Sequence, residues 1–366
     1  MRKSGLILTI ILLSFTCSNR LLSQSKDSAK LHVSGYADAY YALYNDSVGL
    51  GNFQKFPTTS SISNNFGLNI AQLGLKYDGK NVRGHIVLHY GDLPRSAWAS
   101  DFNMIQRAHV GVRVAKNAWI DAGFFRTHFG TEGFLPKENI CSSIATTTFY
   151  EPYFQSGVRL EFAAGSKWMI DFYILNGYNM FTDNNKKKSV GFLVSYTPKE
   201  SFNINYSNYL GDDTPDGVTT SHFRIHQNAY FNYIKNKVTV QVGADLCLQE
   251  NSKLADPKKW ASMFSGLASL KYKVANKVAI YTRGEFLNDP DGFMTTIITD
   301  KTGKLTGYKI FGVTAGLEVT PTDNSYIRLE GRQLMMNSDQ EIFRRDGINK
   351  SSRGEVMLNM GVWFGN

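Results

Sequence analysis

The sequence predicts an all-β protein, a single antiparallel transmembrane β-barrel of about sixteen strands. Two observations carry that prediction. From about residue 31 to Phe364, segments of ten to fifteen residues alternate apolar and polar side chains; a period of two sends successive side chains to opposite faces of a strand. The gaps between segments alternate too, one of a few residues and then one of nine to twenty-five. Short and long connections in strict turn make every strand the hairpin partner of the next, with one plain end and one elaborated end, the pattern of an outer-membrane barrel.

The first residues read as an export signal. Arg2 and Lys3 form a basic start, Gly5 to Phe15 is apolar, and a cleavage point is expected near Ser23 and Gln24. Residues 1–23 are therefore expected to be a cleaved signal peptide, 24–30 a short periplasmic segment, and 31–366 the barrel. A lipoprotein signal ending at Cys17 is the weaker competitor, because Leu13-Ser14-Phe15-Thr16 lacks the leucine and small residue where a lipobox wants them. No later stretch approaches the run of about 18 apolar residues that a spanning helix needs. Any insertion must be by strands, and the expected location is the outer membrane of a Gram-negative cell.

Composition agrees with a lipid-facing exterior and a wet interior: 19 Tyr and 24 Phe stand beside only 19% charged residues. Of the formal net charge of +9, Arg2, Lys3 and Arg20 leave with the signal peptide. The remaining excess is scattered, whereas a nucleic-acid face clusters its basic residues, so no nucleic-acid partner is expected. Cys141 and Cys247 remain after cleavage; two distant cysteines are no disulfide framework, and two unpaired thiols are expected.

The clearest strands set the faces. Val238, Val240, Val242, Ala244, Leu246 and Leu248 share one side, opposite Thr239, Gln241, Gly243, Asp245 and Cys247. Val356, Leu358, Met360, Val362 and Phe364 alternate with Glu355, Asn359 and Gly361. A soluble sandwich also alternates, but here the second face is rich in Arg, Asp, Glu and Gly. Seven short connections carry turn residues: 78–81, 116–117, 165–166, 198–199, 235–236, 276–277 and 321–324. Counting hairpins from residue 31 puts all seven on the periplasmic side with both chain ends, and the long connections 45–64, 128–152, 289–307 and 337–352 outside. A hairpin hidden in 45–64 or 289–307 would move the count to fourteen or eighteen. Aromatic residues near strand ends, among them Tyr40, Tyr77, Trp119, Trp168, Tyr209, Trp260, Tyr272 and Trp363, supply the two interfacial girdles, with some rings turned inward.

Few patterns suggest catalysis. His85/His89 and His222/His226 have H-x-x-x-H spacing, which chelates a metal on a helix; on a strand four residues span about 13 Å, so neither pair shares an ion. No Gly-rich phosphate loop or G-x-S-x-G is present, and neither catalytic residue, metal nor cofactor is expected. The inward faces carry Lys76, Arg83, Arg107, Arg113, Arg159, Arg224, Arg283, Arg328 and Arg332, with Asp121, Glu161, Asp171, Asp245, Glu285, Glu318, Glu330 and Glu355. These are pore-lining candidates; the bland alternative is a wall in which they pair off. Sixteen strands leave an aqueous channel where eight would be filled by side chains. Arg83, Arg107 and Arg113 come from strands three and four with no acid expected between them. Asp245, Glu285, Glu318 and Glu330 come from strands eleven to fifteen, so the two rows would set a field across the lumen. The loop 128–152 holds Glu132, Lys137 and Glu138 as constriction candidates, with a helical turn expected at 138–144. Its Phe134, Leu135, Ile140, Ile144 and Phe149 would be costly in open water, so it is expected to fold inward.

The stretch Val33-Ser34-Gly35-Tyr36-Ala37-Asp38-Ala39-Tyr40-Tyr41, with 69–94, 118–130, 151–160 and 168–179, resembles the OmpL-like beta-barrel porin-2 family over nearly the whole mature chain. The resemblance implies an outer-membrane porin of Gram-negative cells, with no established catalytic residues and no defined solute. Together these readings give the expected function, passive diffusion of small hydrophilic solutes through a charged lumen. The expected partners are outer-membrane lipid and lipopolysaccharide, the barrel-assembly machinery through the C-terminal strand, and further copies of the chain in a homo-oligomer. A structural or adhesive barrel without a pore is the alternative, and an outer-membrane hydrolase a more distant one.

Overall fold

The computed structural model describes residues 29–56 and 59–365, so the expected signal peptide lies outside the described residues. Sixteen strands close one antiparallel barrel in sequence order. They are β1 (Lys30–Tyr44), β2 (Asn65–Asp78), β3 (Val82–Tyr90) and β4 (Ile105–Ala115); β5 (Ala118–Arg126), β6 (Phe154–Ala164), β7 (Trp168–Leu175) and β8 (Ser189–Lys199); β9 (Phe202–Asp212), β10 (Phe223–Lys235), β11 (Val238–Gln249) and β12 (Ala261–Ala275); and β13 (Val278–Asn288), β14 (Lys309–Val319), β15 (Ser325–Met336) and β16 (Ser352–Phe364). Closure comes from β16 against β1, in register from Gly35 opposite Phe364 to Tyr44 opposite Glu355. With no edge left, every strand finds its backbone partners inside the hydrocarbon layer.

The two-residue period holds around the wall. On β16, Val356, Leu358, Met360 and Val362 are exposed, while Glu355, Met357 and Asn359 are buried inside. The exposed apolar side is the lipid surface. Tyr77, Trp168, Trp260 and Tyr272 belong to it, whereas Tyr40 and Tyr209 point inward and are buried. Trp119 also turns inward, beneath the guanidinium of Arg83.

All seven short connections lie at the end where β1 begins and β16 finishes. Asn236 takes a positive φ of 54°, which asparagine tolerates better than most residues. One turn is displaced from its expected place. Strand β8 continues through Lys199, with a register shift between Tyr196 and Lys199, so Pro198 sits in a bulge, where its missing N–H breaks no ladder bond. The loop 289–308 does hold a small hairpin, Ile298–Thr299 with Leu305–Thr306, and another joins Phe343–Arg345 to Ile348–Lys350. Both stand outside the barrel ladder, and the count stays at sixteen. Cys141 and Cys247 are separate buried thiols.

Candidate functional site: the lumen and its inner loop

The third outward loop, residues 127–153, folds into the barrel. Phe134, Leu135, Cys141 and Ile144 are at most 2% exposed, so the apolar content that made this loop costly in water is withdrawn from it. Its helical turns differ from the expected 138–144: a 3-10 turn covers Pro136–Glu138 and helix α1 covers Thr146–Tyr150. The intervening Ser142 and Ser143 stay non-helical because their N–H groups are used elsewhere. They donate to the two Glu330 carboxylate oxygens at 2.7 and 3.0 Å.

A row of charged wall residues holds the loop. Arg283 of β13 is fully buried and its Nη1 donates to Glu132 Oε1 at 3.0 Å and to the Ser143 carbonyl at 2.7 Å. Glu285 accepts the Thr146 N–H at 2.5 Å and pairs with Arg332 at 2.8 Å. Arg328 donates to the carbonyls of Pro136, Asn139 and Cys141 at 2.9, 3.0 and 3.2 Å. It also pairs with Glu318, which accepts Lys271 at 2.9 Å. Each of these charges is offset on the spot, as groups removed from water require. Burial raises the Glu132 carboxyl above its usual range, against the lowering pull of Arg283.

The wall is also shaped for the loop. A Cβ at Gly243 would stand 1.9 Å from Thr131 Oγ1 and 2.8 Å from Thr131 Cβ, while Gln241 Nε2 donates to the Thr131 carbonyl at 2.9 Å. Gly243→Val is therefore expected to push the loop off β11 and to cost about 1–3 kcal/mol, the usual penalty for overpacking. Thermal unfolding of the refolded variant measures it, and a wild-type midpoint would show that the contact is dispensable.

Where the loop rejoins the wall, Glu151 is buried with no hydrogen bond from a described residue to either carboxylate oxygen. Burial, and then the nearby Asp245 carboxylate, raise its pKa well above the ordinary value of 4.5. The folded barrel thus holds this proton over a pH range in which the unfolded chain has released it. Stability from this group is fully present below the ordinary carboxylate range and is lost as pH rises from there through the raised value of the folded state. Glu151→Gln is expected to flatten that loss, with a higher melting temperature than wild type at about pH 8 and little difference near pH 4. Parallel pH profiles would overturn this assignment.

The loop's buried charges are tied to β13 and β15 and its apolar residues pack on β1, β2 and β6; the remaining space lies between the loop and β3–β7. A cavity of about 420 Å³ is lined by Arg107, His109, Arg126, Glu138, Arg159, Asp171 and other residues. A second, of about 570 Å³, is lined by Lys76, Arg83, His85, Arg107, His109, Arg159 and Glu161 among others. The two share Arg107, His109 and Arg159 and so meet at that level.

The expected rows of charge are rearranged. Asp121 lies among the arginines and takes Arg83 at 2.5 Å and Arg159 at 2.8 Å; Glu161 takes Arg83 at 2.8 Å. The basic row is therefore interrupted by an acid from β5. Arg113 lies over Trp119 with its guanidinium 4.8 Å from the ring centroid. Across the lumen, Glu285, Glu318 and Glu330 stand behind the loop with their partners, and Asp245 pairs with His226 and Asn228 at 3.2 and 3.1 Å. Of the three constriction candidates, Glu132 is buried in the anchor. Lys137 lies over the Tyr36 ring, 5.0 Å from its centroid. Glu138 faces the first cavity and is bound in two places by Arg126; burial would raise its carboxyl, but Arg126 holds it below the usual range. Among the cavity-lining residues missed in the sequence are Arg126 and His109. Alternation puts His109 on the inward face with Arg107, but it puts Arg126, five residues beyond Asp121, on the other face, and Arg126 reaches the cavity only from the end of β5.

Sixteen antiparallel strands with one long loop tucked into a charged lumen define a porin-type barrel of the outer membrane. The family model described as "Putative beta-barrel porin-2, OmpL-like" matches residues 30–364, and the chain belongs to that family. It is an outer-membrane porin of the Gram-negative type, a channel for passive diffusion. No curated protein matches the sequence. Similar solved structures include an anion-selective porin from Comamonas acidovorans, with 8% identity, a TM-score of 0.61, and 92% of this chain and 100% of that one covered. The outer membrane channel DcaP of Acinetobacter baumannii has 12% identity, a TM-score of 0.61, and coverage of 93% and 99%. A trimer form of OmpT, an outer membrane protein of Vibrio cholerae, has 11% identity, a TM-score of 0.59, and coverage of 92% and 100%. At such identities the likeness concerns the fold alone.

Proposed function

We propose that solutes pass through the corridor between the inner loop and the β3–β7 wall, lined by Arg83, Arg107, Arg126, Arg159, Glu138, Glu161 and Asp171. The observation that carries this reading is the anchoring of the loop's buried backbone and Glu132 on β13 and β15 by Arg283, Glu285, Arg328 and Glu330. It leaves two joined cavities on the opposite side. A corridor of mixed charge with excess arginine suits small, polar or anionic solutes. Arg113 lies at its periplasmic end. Arg283, Glu285, Glu318, Arg328, Glu330 and Arg332 act as the loop's anchor, and Asp245 holds the β11 side.

Reconstitution into planar bilayers tests the reading. Stepwise conductance is expected; silence at all voltages would favour a structural barrel. Assays of phospholipid and peptide hydrolysis on the same preparation address the hydrolase alternative, and no turnover is expected. The apolar outer face is the proposed contact for lipid and lipopolysaccharide, and the β16 pattern ending at Phe364 the proposed signal to the barrel-assembly machinery. A homo-oligomer is proposed in line with the trimer form of the Vibrio cholerae protein; cross-linking in native membranes checks it.

A further inference from the structure

Among the inward arginines of β3–β6, Arg83 and Arg159 are held by carboxylates. Arg107 forms no ion pair with a described residue, and its Nε is buried without a hydrogen bond. It lies where the two cavities meet. Its Nη1 is 3.4 Å from His85 Nδ1, and His85 stands directly opposite His109 across β3 and β4, with ring centroids 5.8 Å apart. Three side chains with capacity to spare thus converge at one level of the corridor.

Their hydrogens are fixed by their neighbours. A guanidinium only donates, so Nδ1 of His85 is the acceptor and the neutral ring carries its proton on Nε2. His109 Nδ1 is 3.3 Å from the Phe124 carbonyl, which only accepts. Nδ1 of His109 therefore carries the proton, and its Nε2 is left as a lone pair. Neither Nε2 is hydrogen-bonded to a described residue, and both rings line the second cavity. The trio offers a cation, one N–H donor and one acceptor.

We infer that Arg107, His85 and His109 form a binding site for a protonated oxyanion of the phosphate class, in which His109 Nε2 accepts the ligand's P–OH. Hydrogen phosphate matches all three groups: its charged oxygens take the Arg107 guanidinium and the His85 Nε2–H, and its hydroxyl donates to His109. Sulfate has the same size and charge but no hydroxyl at neutral pH, so its oxygen would face the His109 lone pair. A site that holds an unmatched acceptor against an isosteric ligand rejects it. The inference rests on the corridor reading only for the ligand's access route.

Isothermal titration of the refolded full barrel in detergent, with inorganic phosphate and with sulfate at about pH 8, where unperturbed imidazoles are neutral, tests the site. Wild type is expected to bind phosphate about tenfold more tightly than sulfate, the effect of one mismatched hydrogen bond. Arg107→Gln should weaken both anions. His109→Phe, which removes the acceptor, should weaken phosphate, relieve sulfate of the opposed lone pair, and so bring the two affinities together. His109→Lys, which exchanges an acceptor for a donor, should turn the preference toward sulfate. Arg344→Gln, in an outer loop, should bind as wild type. Equal affinities in wild type, or a ratio unmoved in both His109 variants, would overturn the proposal. A barrel that shows the phosphate preference but is silent in bilayers would overturn the diffusion corridor and leave this site standing.

Discussion

Arg283→Met is expected to release the inner loop, raising single-channel conductance and lowering stability together. The guanidinium is fully buried and joins Glu132, Glu285 and Ser143 at one point. Methionine fills much of the same volume but leaves Glu132 buried with only the Ala145 N–H as partner. Removing one member of a buried ion pair costs about 3–5 kcal/mol, most of it the penalty of the stranded charge. The loop is the part that moves, because the β13 wall is locked in a closed ladder while the loop is held mainly by side chains. Denaturant titration and bilayer recording check the two effects. A variant that loses stability with wild-type conductance would place the loop outside the conduction path. Arg283→Met combined with Glu132→Gln is expected to recover part of the stability without restoring the anchor.

Charge substitutions in the corridor are expected to shift ion selectivity in opposite directions. Asp121 is buried and accepts Arg83 Nε at 2.7 Å, Arg159 Nε at 3.1 Å and both of their Nη2 groups. Asp121→Asn removes the negative charge at this point, so the field of two arginines reaches the lumen less compensated and the reversal potential should move toward anions. The triple change of Arg83, Arg107 and Arg113 to Gln should move it toward cations, by about severalfold in permeability ratio. That variant leaves Asp121 and Glu161 with Arg159 as their one arginine, so this level of the corridor becomes net negative. Reversal potentials in asymmetric salt measure both. If neither variant shifts it, selectivity is set elsewhere and the corridor assignment fails.

The architecture was legible because it depends on quantities that repeat along the chain. A lipid-facing wall demands alternation, and an up-and-down barrel demands alternating connection lengths. Both are present from Lys30 to Phe364 and place the sixteen strands and their seven short turns. Pro198 misplaced one turn because a proline reads as a turn residue, although a bulge accepts it equally well. The inward fold of 127–153 could be anticipated from the cost of exposing Phe134, Leu135 and Ile144. Its helical turns could not, since the Ser142 and Ser143 N–H groups are claimed by Glu330, 187 residues or more away in sequence.

Alternation along a strand says which way a side chain points, and so face, strand count and topology follow from the chain alone. It is silent on height relative to other strands and on position around the barrel. Whether Asp121 meets Arg83 or Arg159 depends on the registers of β3–β6, and whether Glu285 faces water or Thr146 depends on which side of the lumen the loop takes. The same holds for His85, which reads as half of an H-x-x-x-H pair with His89. Across the sheet it stands instead against His109, while His89 is buried beside Trp98. Charges and imidazoles act over a few ångströms, so only the closed barrel decided which of them are neutralised, which anchor the loop, and which remain free to meet a solute.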